Sequence, residues 1–275
     1  MSITAADVNK LRQMTGAGMM DCKKALTEAN GDFEKAIDEL RKKGQKVAAN
    51  RSDRDSKEGF VLAKVTDDNK RGVVLAINCE TDFVSKNADF GKMVDNVVNI
   101  AIEKNAKSAE ELTAMPYDNK ITIAEKLIEQ TGVIGEKIEL TKFGLVEAPF
   151  VFAYNHPGNQ LANIVGFSSA SVNADVAKDV AMQVAAMAPV AVDKGDVDAE
   201  MIQREIEVGK EQAREEGKPE DMLEKIAMGK LNKFYKESTL LNQEFIKDNK
   251  KSIAQYLNDS EKGLTVTAFK RIALG

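Results

Sequence analysis

The chain has 275 residues, 43% hydrophobic and 30% charged, and carries a formal net charge of −5. That composition is that of a folded chain of one large or two ordinary domains, not a disordered one. The acidic balance argues against a protein that tracks nucleic-acid phosphates, and no apolar run approaches the ~18 residues of a membrane span.

From its start at Met1-Ser2-Ile3-Thr4 the chain goes directly into a helical pattern, with no signal peptide. Residues 4–43 read as three short helices. The first has Thr4 and Asp7 as a capping box and Val8, Leu11 and Met14 as its inner face. Gly16-Ala17-Gly18 breaks it. The second presents Met19, Cys22, Leu26 and Ala29 on one side, and the third, capped by Asp32, presents Phe33, Ala36, Ile37 and Leu40. Met19 and Met20 can be core, or adaptable contacts at an exposed helix start. Arg41-Lys42-Lys43-Gly44 is a cationic last turn with a glycine stop. A polar stretch then reads as a linker, giving a small helical bundle over 1–45 and a linker over 46–58.

An α+β body follows. Two strand-like runs at 59–66 and 72–79 flank a polar hairpin loop, and an apolar helical stripe begins at Phe90. A further helix over about 121–130 ends at Thr131-Gly132, Val133-Ile134-Gly135-Glu136 is a turn, and 138–146 returns to strand. The same order then recurs: strand at 150–154, a turn at Asn155-His156-Pro157-Gly158-Asn159, strand at 161–168, and an apolar helix from Val176. The fold class expected is therefore α+β, with core subdomains at 59–146 and 147–275 that share one architecture and carry antiparallel sheets. Inserted in the second, 199–237 is rich in Glu, Lys and Arg around Gly217-Lys218-Pro219 and reads as a protruding antiparallel helical hairpin. Its seam would be Ile202, Ile206, Ala213, Met222, Ile226 and Phe234, with arms of roughly 25 Å at 1.5 Å per residue. It can be a solvated structural arm or a docking arm. A short helix (252–257) and an alternating strand from Leu264 close the chain.

Catalytic chemistry has little to work with. There is one histidine, His156, no tryptophan, and two widely separated cysteines, Cys22 and Cys79. None of the usual close zinc-ligand pairs or P-loop spacings occurs. We expect no cofactor, no metal and no substrate of the chain's own, and a reducing, cytoplasmic setting. The stretch that stands out is Asn78-Cys79-Glu80-Thr81-Asp82-Phe83-Val84, where an apolar strand gives way to a helix. Such a junction is usually small and polar, and the matching junction of the second half, Ser171-Val172-Asn173-Ala174-Asp175, has no aromatic residue. Two readings are open: Phe83 folds back onto its own core, or it is held outward for insertion into a partner.

Leu11-Arg12, Thr15-Gly16-Ala17-Gly18-Met19-Met20-Asp21-Cys22-Lys23-Lys24-Ala25-Leu26, Asn30-Gly31-Asp32 and Asn78 through Val84 occur in an order and spacing that resemble the translation elongation factor Ts family. The Gly217-Lys218-Pro219 hairpin matches too, so the resemblance spans nearly the whole chain. It implies a ubiquitin-associated-type bundle at the N-terminus, a two-subdomain core and a coiled-coil hairpin. It implies an exchange factor, not an enzyme with chemistry of its own, whose partner is the GTPase elongation factor Tu, with no nucleic acid or membrane contacted. By that resemblance Thr81, Asp82, Phe83 and Val84 would enter the partner's G domain and dislodge Mg²⁺. Met19, Lys23, Ile134, Gly135 and His156 would be further contacts. Some family members carry a helix beyond the second subdomain, and this chain ends at Gly275 without it. A non-catalytic adaptor, and a thiol enzyme built on Cys79, are the readings from other classes.

Overall fold

The computed structural model describes residues 3–275, so Met1 and Ser2 of the expected lead-in lie outside the described residues. The chain begins with α1 (Ala5–Thr15), α2 (Met19–Glu28) and α3 (Phe33–Asn50), followed by β1 (Glu58–Val65) and β2 (Arg71–Cys79). Next come α4 (Asp82–Ser85), α5 (Ala88–Glu103), α6 (Ala109–Ala114), α7 (Ile123–Ile134) and β3 (Glu139–Glu147). The second half runs β4 (Phe150–Asn155), β5 (Leu161–Phe167) and α8 (Ala174–Met187), then the hairpin helices α9 (Ala199–Glu215) and α10 (Leu223–Ser238). It closes with β6 (Glu244–Phe245), β7 (Asp248–Ser252), α11 (Ile253–Ser260) and β8 (Val266–Ala273).

β2 and β5 explain the body. Both are apolar at nearly every position, because each is the central strand of a three-stranded antiparallel sheet covered on both faces. Alternate side chains go opposite ways. Val73, Leu75, Ile77 and Cys79 of β2 pack on Phe90, Val94, Val97 and Val98 of α5, while Val74 and Ala76 meet Val151, Ala162 and Ile164 of the other sheet. From β5, Val165 and Phe167 pack on Val180, Ala181 and Val184 of α8 and on α11. The result is helix, sheet, sheet, helix. Where the sheets touch, a Cβ on Gly72 would fall 2.7 Å from Val151 Cγ1, so only glycine allows that approach.

The two sheets are built alike. In each, a hairpin is followed by a third strand that joins the second antiparallel, with one bulge in the added pairing. They also clasp each other reciprocally. Asn69 in the β1–β2 turn accepts a hydrogen bond from Val151 N of β4 at 2.6 Å, and Asn159 in the β4–β5 turn accepts from Val61 N of β1 at 2.7 Å. Both asparagines are left-handed, φ 54° and 55°, a conformation asparagine tolerates better than most residues. The end of α5 is met by a buried arginine: Arg71 donates to Ala101 O in the last turn at 3.2 Å and to Ala106 O just beyond the helix.

In the bundle, Thr4 and Asp7 form the expected capping box and Asp32 caps α3. Leu11, Cys22, Leu26 and Ala36 make a small core. Met14, expected on the inner face, is exposed instead. Two helix ends also differ from the expectation, for one reason. α3 does not stop at Gly44 but continues to Asn50, inside the expected linker, and α7 does not stop at Thr131-Gly132 but continues to Ile134. Gly44 and Gly132 face each other where α3 crosses α7, and a Cβ on Gly132 would collide with Gly44 Cα. These glycines bring two backbones together instead of ending helices. The hairpin also departs in detail: its buried seam is Gly209, Ala213, Leu223, Ala227 and Leu231, and Met222 is exposed. No helix among the described residues is long and apolar enough to cross a membrane.

Candidate functional site

β2 ends at Cys79, α5 begins at Ala88, and the single-turn α4 is set between them. Asn87 caps α5, accepting from Asp89 N at 2.8 Å and Phe90 N at 3.4 Å, which fixes the far end of the turn. Successive helical residues point about 100° apart, and α4 uses that difference. Val84 packs into the β2–α5 core, while Phe83, its neighbour, is 84% exposed. Leaving an aromatic ring in water forgoes roughly 1.5–3 kcal/mol of burial. Asp82 is held by Lys86 at 2.6 Å, whose hydrogen bond and charge lower its carboxyl pKa.

The near end of the turn is fixed by residues that sequence reasoning missed. Glu136, just after the left-handed Gly135 that caps α7, accepts Glu80 N at 3.1 Å and Thr81 N at 3.0 Å on one oxygen and the Thr81 hydroxyl at 2.6 Å on the other. Glu80 in turn accepts Lys137 N at 2.8 Å and Arg51 Nη1 of the residue after α3 at 2.7 Å. Burial raises the Glu80 pKa, but the Lys137 amide and Arg51 outweigh it and the net direction is down. Nothing in the local pattern signals Glu136, since its partners lie more than fifty positions away in sequence.

Phe83 stands on the rim of a groove of about 770 Å³ between α1, α5 and α7, lined by Met14, Thr15, Gly16, Val84, Phe90, Met93, Tyr117, Val133 and Ile134 among others. Of the residues singled out from sequence, Phe83, Val84 and Ile134 share this groove. Gly135 lies with Ile134 on a neighbouring cleft. Met19 and Lys23 are exposed on α2 beyond the Gly16–Gly18 break and do not line the groove. Met20, 74% exposed, and Met14, 54% exposed, extend the apolar surface of the bundle. Exposed methionines beside an exposed aromatic ring make an adaptable apolar contact surface.

His156 belongs to the β4–β5 turn, exposed, with Nδ1 3.0 Å from the Tyr154 hydroxyl. It lines none of the groove, but its turn rests on β1: Asn155 exchanges hydrogen bonds with Ala63, donating to its carbonyl at 3.0 Å and accepting from its amide at 2.8 Å. α4 packs on β1 as well, so one strand supports both features. Cys79 is buried, and burial first, then Glu136 and Glu58, push its thiol up to about 12. A thiol that stays protonated is core, not nucleophile.

A family model described as Elongation factor TS matches residues 80–275. The chain is 56% identical to the elongation factor Ts of Christiangramia forsetii, over 99% of each protein. It is 56% identical to that of Flavobacterium psychrophilum, over 100% of this chain and 99% of the relative. It is 48% identical to that of Porphyromonas gingivalis, again over 100% of this chain and 99% of the relative.

Proposed function

The chain belongs to the elongation factor Ts family, and from that premise we propose that it binds elongation factor Tu carrying GDP and speeds release of the diphosphate by inserting Phe83. Members of the family are exchange factors of translation elongation and perform no bond chemistry themselves. Thr81, Asp82 and Val84 hold the inserted ring in place, and Met19, Lys23, Ile134, Gly135 and His156 widen the contact.

A bound nucleoside diphosphate is held by charge, with Mg²⁺ bridging its oxygens and backbone amides cradling them. An exchange factor therefore needs a rigid group whose insertion is incompatible with that arrangement. Binding is reciprocal: the factor weakens nucleotide by the same free energy by which nucleotide weakens the factor. The direction of exchange then follows from the nucleotide pool. One observation carries this reading, the 84% exposure of Phe83 on a turn fixed at both ends. An aromatic anchor buried at an interface centre is worth on the order of 2 kcal/mol or more. At 1.4 kcal/mol per decade, that alone changes a release rate roughly 30-fold when expressed in the ternary complex.

Release of a fluorescent GDP analogue from purified elongation factor Tu is the test. The intact chain accelerates it strongly, and Phe83→Ala loses roughly 30-fold of that acceleration. An intact chain that leaves the rate unchanged would make this an adaptor.

A further inference from the structure

We propose that Glu136 is a positioning residue for Phe83, and that with Glu80 and Arg51 it forms a clasp setting the ring relative to the N-terminal bundle. What the ring does rests on the exchange reading; how the ring is held does not.

The clasp is reciprocal. Segment 80–81 sends both backbone amides and the Thr81 hydroxyl to the Glu136 carboxylate, and segment 136–137 returns the Lys137 amide to the Glu80 carboxylate. Arg51, immediately after α3, closes on Glu80 at 2.7 Å with both side chains mostly shielded. Charge-assisted bonds of this kind are the strong ones. α4 is four residues long and has no side-chain cap of its own at Thr81; the Val84 packing and the Asn87 cap fix its far end, and its near end depends on what holds residues 80 and 81. A single helical turn is unstable alone, and Phe83 makes no burial that would orient it. The acceptors on Glu136 hold that near end from the end of α7. Through Arg51, the end of α3 is tied to the same turn. The bundle, with Met14 and Met19, and the wedge are then presented to a partner as one unit.

The chain has no tryptophan, so Phe83→Trp places a single tryptophan at the ring position, which red-edge excitation addresses without the four tyrosines. Its anisotropy in the free, full-length protein reports how well the ring is held. Adding Glu136→Ala lowers that anisotropy, while Glu136→Gln, whose carbonyl can still take both amides and whose amide can donate to the Thr81 hydroxyl, restores it. In exchange assays with native Phe83, Glu136→Ala lowers kcat about tenfold, the scale of one lost charge-assisted set, with a smaller change in KM. That loss disappears in a Phe83→Ala background, where no ring remains to be positioned. If Glu136→Ala does not fold, Thr81→Val, which keeps the side-chain shape and removes one bond of the clasp, carries the same anisotropy and kcat measurements. Unchanged anisotropy in a folded Glu136→Ala or Thr81→Val protein overturns the proposal, as does a loss that adds fully to that of Phe83→Ala. If instead the intact chain fails to release GDP while the anisotropy falls as stated, the clasp stands and the exchange reading fails.

Discussion

Two phenylalanines seven positions apart show how differently the same side chain is used. Phe90 is 3% exposed in the α5 core, and Phe83 is 84% exposed at the groove rim. Truncating a buried Phe removes transfer energy and leaves a cavity, about 3–5 kcal/mol together; truncating the exposed ring removes almost nothing the fold uses. Phe90→Ala is therefore expected to lower the melting temperature by many degrees, and Phe83→Ala to leave it within about one or two degrees. Calorimetry on the pair checks this, and a large loss for Phe83→Ala would mean that the ring is part of its own core in solution. From sequence, an aromatic at a strand–helix junction admits both roles. The choice depends on which way a single helical turn faces, and that is decided by Glu136 and Asn87, one distant in sequence and one adjacent.

At the scale of elements, strands and apolar stripes were legible because burial on both faces writes long runs of Val, Ile and Leu, as in β2. Helix ends were less so. Gly44 after Arg41-Lys42-Lys43 has the residues of a stop, yet its missing side chain serves the crossing with Gly132. A close approach between helices leaves the same local mark as a C-cap. Gly132→Ala separates the two uses. Helix propensity alone would favour alanine by about 1 kcal/mol, but its Cβ would land on the Gly44 backbone, and overpacking costs about 1–3 kcal/mol. The net expectation is looser docking of α3 on α7, seen as faster amide exchange over 41–50 or proteolysis at 51–56; unchanged protection with raised stability would show that the helices yield. The Arg51–Glu80 tie has its own signature in pH. Glu80 has a folded pKa below its ordinary value, so its contribution is full above the ordinary glutamate range and is lost as pH falls through the depressed folded value. The stability difference between the native chain and Arg51→Gln should accordingly be constant near neutrality and shrink in acid, by denaturant titration at each pH.

For the molecule as a whole, the repeat of hairpin, turn and helix was visible in the chain, while the way the halves meet was not. Besides the apolar packing of sheet on sheet, it uses Asn69 and Asn159, two turn residues whose carbonyls each reach the opposite sheet. The arm stands apart from this arrangement. Its ion pairs are internal: Lys210 with Glu224, Arg214 with Glu211 and Glu220, Lys230 with Glu216. α9 has α10 as its main packing partner, with Gly209 against Ala227 at their closest approach. The arm joins the body at its base, where Val190 N donates to Ser238 O at 2.8 Å, Leu240 N to Ala191 O at 3.0 Å and Leu241 N to Val192 O at 2.9 Å. Replacing 205–230 by a short turn keeps every one of those bonds, along with both sheets, the groove and the clasp. The shortened chain should therefore melt cooperatively near the native temperature and release GDP from elongation factor Tu within about twofold of the native rate, since no group assigned to the wedge is lost. A fall of tenfold or more in a chain that still melts cooperatively would give the arm a docking role, because the body that carries Phe83 would be unchanged.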